Sequence, residues 1–280
     1  MSINSACLYV VATPIGNLGD MVPRAIEVLQ SVDLIAAEDT RHSKRLMQHF
    51  NISTVLIAYH DHSGTNKVDA LIERLLAGQT IALISDAGTP LISDPGYRLV
   101  DAALSAGIKV MPIPGASAAI AALSAAGLPS DRFVFEGFLN AKRQARIKQL
   151  QHLANETRTL IFYEAPHRVL ACLEDMAEVF GVERQVVMAR ELTKTFETIK
   201  RAPAAELAVW VSADHNQQKG ECVLLVHGAS KVDDGSDDGE RVFDILADEL
   251  PLKQAAALAA KITGVKKNKL YQYGLNKQDS

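Results

Sequence analysis

Short apolar runs alternate with amphipathic stretches over the first 115 residues of the chain. Apolar runs predict strands, and apolar residues repeating every three to four positions predict helices. The predicted strands are Leu8–Ala12, Leu34–Ala37, Val55–Ala58, Ile81–Ile84 and Lys109–Pro112. The predicted helices are Arg24–Gln30, Ser43–Phe50, Lys67–Leu76 and Tyr97–Ser105. Because unbroken apolar strands are typical of a sheet covered on both faces, residues 1–115 are predicted to form an α/β domain with a parallel sheet.

The pattern changes after Gly127 and Pro129, where strands begin to follow one another closely. The Ala-rich segment Ala116–Ala125 predicts a bridging helix, and Asn140–Leu153 predicts a helix with basic residues. The further strands expected are Arg132–Glu136, Thr159–Tyr163, Gln185–Glu191, Thr195–Lys200 and Glu221–His227. Closely spaced strands favour a mixed or antiparallel sheet, so residues 116–230 are predicted to form a second α/β domain.

The end of the chain divides into an acidic and a basic part. Ser230–Gly239 is rich in Asp and Gly and predicts a flexible linker. Residues 231–250 as a whole are expected to form an acidic linker and the start of a helix. From Lys253 to Lys277 there are six lysines and no acid, and the helical spacing breaks at Thr263 and Gly264. Residues 251–280 are therefore predicted to form a small basic helical module. Its shape fits a nucleic-acid-binding helix-turn-helix or an ordinary helical hairpin with a solvated lysine face.

Composition restricts the function classes. Of 280 residues 48% are hydrophobic and 22% charged, which is ordinary for a soluble globular protein, and the net charge is −4. The acidic balance alone argues weakly against nucleic acid, whereas the basic tail argues for it. Cys7, Cys172 and Cys222 are scattered and form no disulfide framework. With no leader sequence and no apolar stretch long enough to span a bilayer, a cytoplasmic protein without a membrane partner is expected.

Three strand ends carry loops rich in Gly, Pro and small residues, which suit a ligand. They are Thr13–Asn17, the double turn Ser85–Pro90 and Ser93–Gly96, and Pro114–Ser117. None is a Walker A or G-x-G-x-x-G loop, which weakens ATPase and dinucleotide-binding hypotheses. In open α/β sheets ligands bind at such carboxyl ends of strands. Asp86 to Pro90 is interpreted as ligand-binding, and Asp94 as the cap of the following helix.

Charged residues gather at other strand ends, in Glu38–Arg41, Phe162–Arg168 and Arg190–Lys194. One such group is usually a solvated surface, but several together indicate a charged cleft. The four histidines His42, His49, His60 and His62 match no standard ligand spacing, so no metal site is predicted. The sequence also lacks a G-x-S-x-G elbow and a Cys–His signature, so hydrolase hypotheses gain no support.

Taken in order, the motifs ATPIGNLGD, AEDTR, SDAGTPLISDPG, PGASA, FEGF, FYEAPHR and RELTKTFE resemble the tetrapyrrole methylase superfamily. More narrowly, they resemble its branch that methylates ribosomal RNA of the small subunit. The resemblance runs from Leu8 to Val226, and the basic tail is similar to that branch too. It implies two α/β domains with S-adenosylmethionine between them, and a homodimer. It also implies methylation of the ribose 2′-hydroxyl of cytidine 1402 in 16S rRNA, with the small ribosomal subunit as partner.

The resemblance also implies roles for individual residues. For the cofactor these are Ala12, Thr13, Pro14, Asp86, Ala87, Gly88, Thr89, Ala116, Ser117 and Tyr163. Removal of the hydroxyl proton has four candidates among the charged groups, Glu164, Asp39, Glu191 and Lys194, between which the resemblance does not choose. The expected RNA contacts are Arg41, His167 and Arg168, the helix residues Lys142, Arg143, Arg146 and Lys148, and the tail residues Lys266, Lys267 and Lys269.

Two other functions fit parts of the pattern. The same fold can methylate a tetrapyrrole or another small molecule, and the cofactor loops alone do not distinguish that activity. A non-enzymatic regulator with a DNA-binding tail is the alternative from another class, and it need not bind S-adenosylmethionine. The basic tail and charged strand ends favour RNA over the small molecule.

Overall fold

The computed structural model describes residues 6–60, 65–230 and 235–278. Contacts between residues divide the chain into two compact units, Met1–His227 and Gly228–Ser280. The first unit contains two five-stranded sheets, and the second contains helices. Across the described ranges, no helix is both long and apolar enough to cross a membrane.

The first sheet is entirely parallel, with the order β3-β2-β4-β1-β5. Its strands are β1 Cys7–Val11, β2 Leu34–Ala37, β3 Leu56–Ala58, β4 Thr80–Ile84 and β5 Lys109–Ile113. The helices between them are α1 Pro23–Ser31, α2 Thr40–His49, α3 Thr65–Leu76 and α4 Tyr97–Ser105. This arrangement confirms the predicted parallel α/β sheet. Because β1 and β4 are neighbours although far apart in sequence, the loops that follow them meet at one edge of the sheet.

Both faces of this sheet are covered, which explains its unbroken apolar strands. Val11 and Ile84 pack on the face with α1, whereas Leu8 and Leu83 pack on the opposite face with α3 and α4. Successive side chains of a strand point to opposite faces, so a strand between two helical layers needs apolar residues throughout. The sequence pattern therefore follows directly from burial.

The second sheet is mixed, as predicted, with the order β6-β7-β10-β8-β9. Its strands are β6 Phe133–Phe138, β7 Thr159–Glu164, β8 Gln185–Arg190, β9 Thr198–Pro203 and β10 Cys222–Val226. The accompanying helices are α5 Ala118–Ala125, α6 Arg143–Leu153, α7 Val169–Phe180 and α8 Ala204–Ala213. Only β6 and β7 pair in parallel, and the remaining pairs are antiparallel. The sequence pattern did not predict α7 or α8.

One ion pair is buried beneath this sheet. Arg146 of α6 lies 2.7 Å from Asp175 of α7, and their side chains are 5% and 2% exposed. Arg143 donates to the other oxygen of Asp175 at 2.9 Å. Arg146 is therefore unavailable to RNA, and its predicted phosphate contact is wrong because the guanidinium joins two helices.

The second unit contains α9 Gly235–Ala247, α10 Leu252–Thr263 and α11 Lys267–Gln278 around a small core that includes Phe243, Ala256 and Leu270. Gly264, with φ +77°, ends α10 in the left-handed conformation that favours glycine. The predicted pair of helices joined by a glycine turn is confirmed. The helix start expected within 231–250 is present as α9, but it begins at Gly235, inside the segment that was predicted as a flexible linker. The other linker positions 231–234 lie outside the described residues.

Candidate functional site

Two backbone hydrogen bonds join the loops that follow β1 and β4. Thr13 N donates to Gly88 O at 2.8 Å, and Gly88 N donates to Thr13 O at 3.0 Å. Thr13 is almost fully buried, and its hydroxyl also points to Ser85 O at 3.4 Å. Thr13 therefore holds the double turn against the first strand end.

A cavity of about 450 Å³ opens beside these loops, between residues of both sheets. Its volume lies in the range of small-molecule sites. Six residues implied for the cofactor line it: Asp86, Ala87, Gly88, Thr89, Ser117 and Tyr163. The four others, Ala12, Thr13, Pro14 and Ala116, are not among its lining residues.

Those four residues are close in sequence to the lining ones. Besides Thr13, two of them, Ala12 and Ala116, contact the loops around the cavity. Ala116 O accepts a hydrogen bond from the Thr89 hydroxyl at 3.0 Å. The Ala12 methyl lies so close to Gly115 that a Cβ on this glycine would be 2.9 Å away. Gly115 therefore permits the strand end and the following loop to pack closely.

Three carboxyl groups form what we call the acidic wall of the cavity: Glu38, Asp86 and Asp94. Burial raises the pKa of Glu38, and the neighbouring charge of Asp86 raises it further. Burial also raises the pKa of Asp94 to about 6, with the Glu38 charge as the next cause and the Ser85 hydroxyl acting in the opposite direction. A cationic ligand suits a wall where like charges are close together.

Asp94 was expected to cap a helix, and that prediction is wrong. The cap position of α4 is Gly96, with φ +137° and no side-chain cap hydrogen bond. Leu91 and Ser93 both have positive φ, at 74° and 65°, so the chain turns tightly just before Asp94. Such backbone is uncommon for residues other than glycine and is often found at functional sites. This turn brings Asp94 to the cavity instead of the helix end.

Glu164 contributes a buried acceptor to the same cavity. Its Oε1 accepts from Arg168 Nε at 2.7 Å and from Ala165 N at 2.8 Å. Its Oε2 is buried and makes no hydrogen bond within the described part of the chain. A buried carboxylate oxygen without a donor is costly, so this atom suits a ligand that donates a hydrogen bond.

Lys194 lies between two carboxylates, 2.8 Å from Glu191 and 2.9 Å from Glu221. Burial lowers the pKa of Lys194, but hydrogen bonds to both acids outweigh it and the net pKa is raised. Burial likewise acts to raise the pKa of Glu191, and the Lys194 hydrogen bond turns the net change downward. The stem of Lys194 crosses Gly16, where a Cβ would lie 2.5 Å from Lys194 Cγ. Lys194 therefore joins the loop after β1 to the second sheet.

Asp39 and Arg41 form a local structure at the start of α2. Asp39 accepts from Arg41 N at 2.8 Å as the helix cap, and Arg41 Nη2 lies 2.9 Å from its other oxygen. The Arg41 side-chain hydrogen bond is the main cause that lowers the pKa of Asp39 to about 2. Neither residue lines the cavity. The Arg41 side chain is nevertheless 88% exposed and accessible to a partner.

The other residues expected to contact RNA differ in their surroundings. His167, Lys142, Lys266, Lys267 and Lys269 are exposed. Arg168 is paired with Glu164, and Arg143 is paired with Asp175 and Glu178.

Several lining residues were missed by the sequence analysis. They include Ile92, Phe138, Glu221 and Cys222. Phe138 ends β6, and that position was an available signal, whereas Glu221 and Cys222 lie at the start of β10. For the histidines, no group of three His, Cys, Asp or Glu side chains able to hold a metal ion occurs in the described ranges; His62 lies outside them.

Comparison with known proteins gives two family matches. Residues 7–208 match the family of Tetrapyrrole (Corrin/Porphyrin) Methylases, and residues 233–278 match the RsmI C-terminal HTH domain. The chain is 60% identical over 279 residues to ribosomal RNA small subunit methyltransferase I of Pseudomonas aeruginosa, covering 99% of both chains. It is 58% identical to the protein of that name from Escherichia coli O157:H7, covering 97% of this chain and 95% of that one.

Solved structures agree on the fold. A crystal structure of diphthine synthase matches with a TM-score of 0.60 at 15% identity, covering 79% of this chain and 89% of that one. A uroporphyrin-III C-methyl transferase from Thermus thermophilus, complexed with S-adenyl homocysteine, matches with a TM-score of 0.54 at 15% identity, covering 79% and 96%. The two sheets described above thus have the architecture of these enzymes. With a family match over most of its length and relatives this similar end to end, the chain belongs to the tetrapyrrole methylase family, in its ribosomal RNA small subunit methyltransferase I branch.

Proposed function

We propose that this chain transfers a methyl group from S-adenosylmethionine to ribosomal RNA of the small subunit, and that its target is the 2′-hydroxyl of cytidine 1402 in 16S rRNA. The observation that carries the proposal is the 60% identity, over 99% of both chains, with a ribosomal RNA small subunit methyltransferase I. The identity of the target nucleotide and of the methylated hydroxyl is inferred from the resemblance of the sequence motifs. It also suggests a cytoplasmic homodimer, which light scattering would test as a particle of twice the chain mass.

The cavity fits the cofactor by charge and by hydrogen bonding. S-adenosylmethionine carries a positively charged sulfonium, which the acidic wall of Glu38, Asp86 and Asp94 would attract. Asp86 to Thr89, Ser117 and Tyr163 would hold it, with Ala12, Thr13, Pro14 and Ala116 supporting them from behind. When bound, the cofactor supplies a methyl group already activated for transfer. Glu164 Oε2 offers an unused acceptor to a donor group of either ligand.

Within this cavity we assign Asp94 as the group that accepts the proton of the ribose hydroxyl. Lys194 stays protonated between its two acids, and Asp39 is held as a carboxylate by Arg41 outside the cavity. Glu191 is tied to Lys194, and Glu164 is tied to Arg168. Asp94 has no ion-pair cation in the described part of the chain, and its pKa of about 6 suits a proton acceptor at neutral pH. We therefore favour Asp94 as the proton acceptor over the four candidates that were named from the sequence.

RNA would be held outside the cavity by cations. The first unit contributes Arg41, His167, Arg168, Lys142 and Arg143, and the second unit contributes Lys266, Lys267 and Lys269. Arg41 keeps one guanidinium nitrogen outside its pair with Asp39, which suits a phosphate oxygen. Exposed lysines supply affinity for the RNA backbone without choosing a sequence.

The decisive experiment uses the pure protein and small ribosomal subunits from cells that lack the gene. With labelled S-adenosylmethionine, one methyl group should enter each subunit, and mass mapping should place it on the ribose of cytidine 1402. Transfer to a base or to another nucleotide would contradict the finer assignment. Transfer only to a tetrapyrrole precursor, and none to subunits, would favour the small-molecule alternative.

Asp94 is tested by Asp94→Asn, with Asp101→Asn on the exposed face of α4 as the matched control. We expect the single-turnover rate of Asp94→Asn to fall by about 100-fold or more, because general base catalysis is of this size. The wild-type rate should rise with pH and level off above about 6, following the pKa of Asp94. Calorimetry should find that both variants bind S-adenosylmethionine. A wild-type rate in Asp94→Asn would remove Asp94 from the reaction.

A further inference from the structure

Phe138 is an aromatic side chain at the rim of the cavity. It ends β6, lines the cavity and remains 53% exposed. Large aromatic residues are usually buried, so an aromatic residue left half exposed at a binding cavity calls for an explanation. Neither the proposed proton acceptor nor the residues proposed to bind the cofactor explain the position of this side chain.

An irregularity in β6 turns Phe138 toward the cavity. Phe135 pairs with Ile161, but the register shifts by one residue so that Gly137 pairs with Phe162 and Phe138 with Tyr163. Without this bulge Phe138 would lie on the opposite face, since successive residues alternate between the faces. The bulge therefore places Phe138 on the same face as Ile161 and Tyr163.

Neighbouring groups fix the bulge and the ring. Gly137 has φ +66°, and a Cβ on it would lie 3.1 Å from the Ser93 hydroxyl of the tight turn before Asp94. The Phe138 ring meets the Tyr163 ring edge to face, with centroids 5.7 Å apart, and Phe135 meets Tyr163 at 4.9 Å. The Tyr163 hydroxyl in turn accepts a hydrogen bond from Ala119 N at 3.2 Å. Contacts among these three rings thus hold Phe138 at the cavity that Asp94 also lines.

We propose that Phe138 stacks on the base of the target nucleotide while its ribose enters the cavity. This inference rests on the proposed function. RNA is read mainly through unstacked bases, which stack on aromatic side chains, and every base offers a flat face for this contact. An exposed ring in continuity with a cavity that receives the ribose has the right place for the attached base. The apolar lining residues Ile92 and Leu192 also suit a flat neutral ring better than a phosphate.

The test compares Phe138→Ala, Phe138→Leu and Phe138→Trp with the control Phe133→Ala. Phe133 lies on the same strand and is 40% exposed, but it does not line the cavity. For unmethylated small subunits, Phe138→Ala should raise the Kd about 5- to 150-fold, the size of a lost stacking contact. Phe138→Trp should keep most of the affinity, whereas Phe138→Leu should not, because leucine fills space without stacking.

Binding of S-adenosylmethionine, measured by calorimetry, should be unchanged in all four variants. Equal affinity of Phe138→Leu and wild type would overturn the inference, because the side chain would then act only by packing. Light scattering would also overturn the inference if it found a change of oligomeric state while each protomer kept its affinity for the small ribosomal subunit. Phe138 would then belong to a contact between copies of the chain. If the wild-type protein methylates no subunits at all, the proposed function fails before the variants are compared.

Discussion

At the scale of single residues, Asp94 shows how a fold changes the chemistry of a common side chain. Burial and the charge of Glu38 both disfavour its ionised form, and together they raise its pKa to about 6. The unfolded chain ionises the same group near its ordinary value of about 4. The folded state therefore binds more protons than the unfolded state between these two values, and stability falls as pH rises through this window.

From this sign we predict that Asp94→Asn stabilises the protein at about pH 8 and leaves stability unchanged at about pH 4. The gain should be about 1 kcal/mol, after allowance for the screening of a partly exposed group. Urea unfolding at the two pH values measures this change in the free energy of unfolding. Asp101→Asn is the control, which should change the free energy of unfolding at neither pH. An equal effect at both pH values would contradict the prediction, since an amide would then act through packing and not through charge.

Asp94 also illustrates which site residues a sequence conceals. Asp86 to Thr89 could be assigned because they follow a buried strand, and strand ends of a parallel sheet meet at one edge. Asp94 lies beyond two non-glycine residues with positive φ, a conformation that the residue types Leu91 and Ser93 do not predict. Phe138 depends on a strand bulge for its face, and a pattern of alternation assigns it to the other one.

At the scale of elements, short apolar runs were sufficient to predict the strands of the first sheet. The five strands of the first sheet are short apolar runs, and all five were predicted to within about two residues of their bounds. The start of α9 was placed too late, because its first turn consists of Gly, Ser and Asp, which favour linkers. Its apolar residues pack with two other helices, and Gly239 lets Val265 approach closely. Tertiary packing thus outweighed local composition.

The join between α6 and α7 gives the prediction at this scale. Asp175 is the partner of the buried Arg146, so Asp175→Ala would leave an uncompensated guanidinium in the interior. We expect it to lower the free energy of unfolding by about 3 to 5 kcal/mol. Denaturant unfolding followed by circular dichroism is the measurement.

Glu178→Ala provides the control for this ion-pair network. Glu178 contacts Arg143 at 2.6 Å, but both side chains are more than half exposed. Its removal should cost less than about 1 kcal/mol, as exposed pairs do. If the two variants proved equally stable, Arg146 would have found another partner, and the buried pair would not hold the helices together.

At the scale of the whole molecule, charge is distributed unevenly along a chain whose net charge is only −4. In the first unit, five acidic residues line the cavity where a cationic donor would bind: Glu38, Asp86, Asp94, Glu164 and Glu221. The second unit places Lys266, Lys267 and Lys269 around the start of α11, all exposed. A helix start favours anions because its free backbone N–H groups point outward, so we expect these three lysines to attract a phosphate there. The overall charge therefore says little about the partner, and its distribution says more.

The lysines at the start of α11 decide between the two interpretations of the tail, a nucleic-acid module and a helical hairpin with solvated charges. We predict that replacing all three with Ala weakens binding to small subunits. The dependence of log Kd on log salt should become shallower by about 2 to 3, since each phosphate contact contributes a little under one unit. Affinity for S-adenosylmethionine should stay at the wild-type value, because the cavity belongs to the other unit.

The control is the double variant Lys253→Ala and Lys261→Ala, which removes two exposed lysines of α10 in the same unit and should change the salt dependence less. Equal slopes for both variants would mean that these lysines act only through net charge, and an unchanged Kd in the triple variant would leave the hairpin as the better description of this unit.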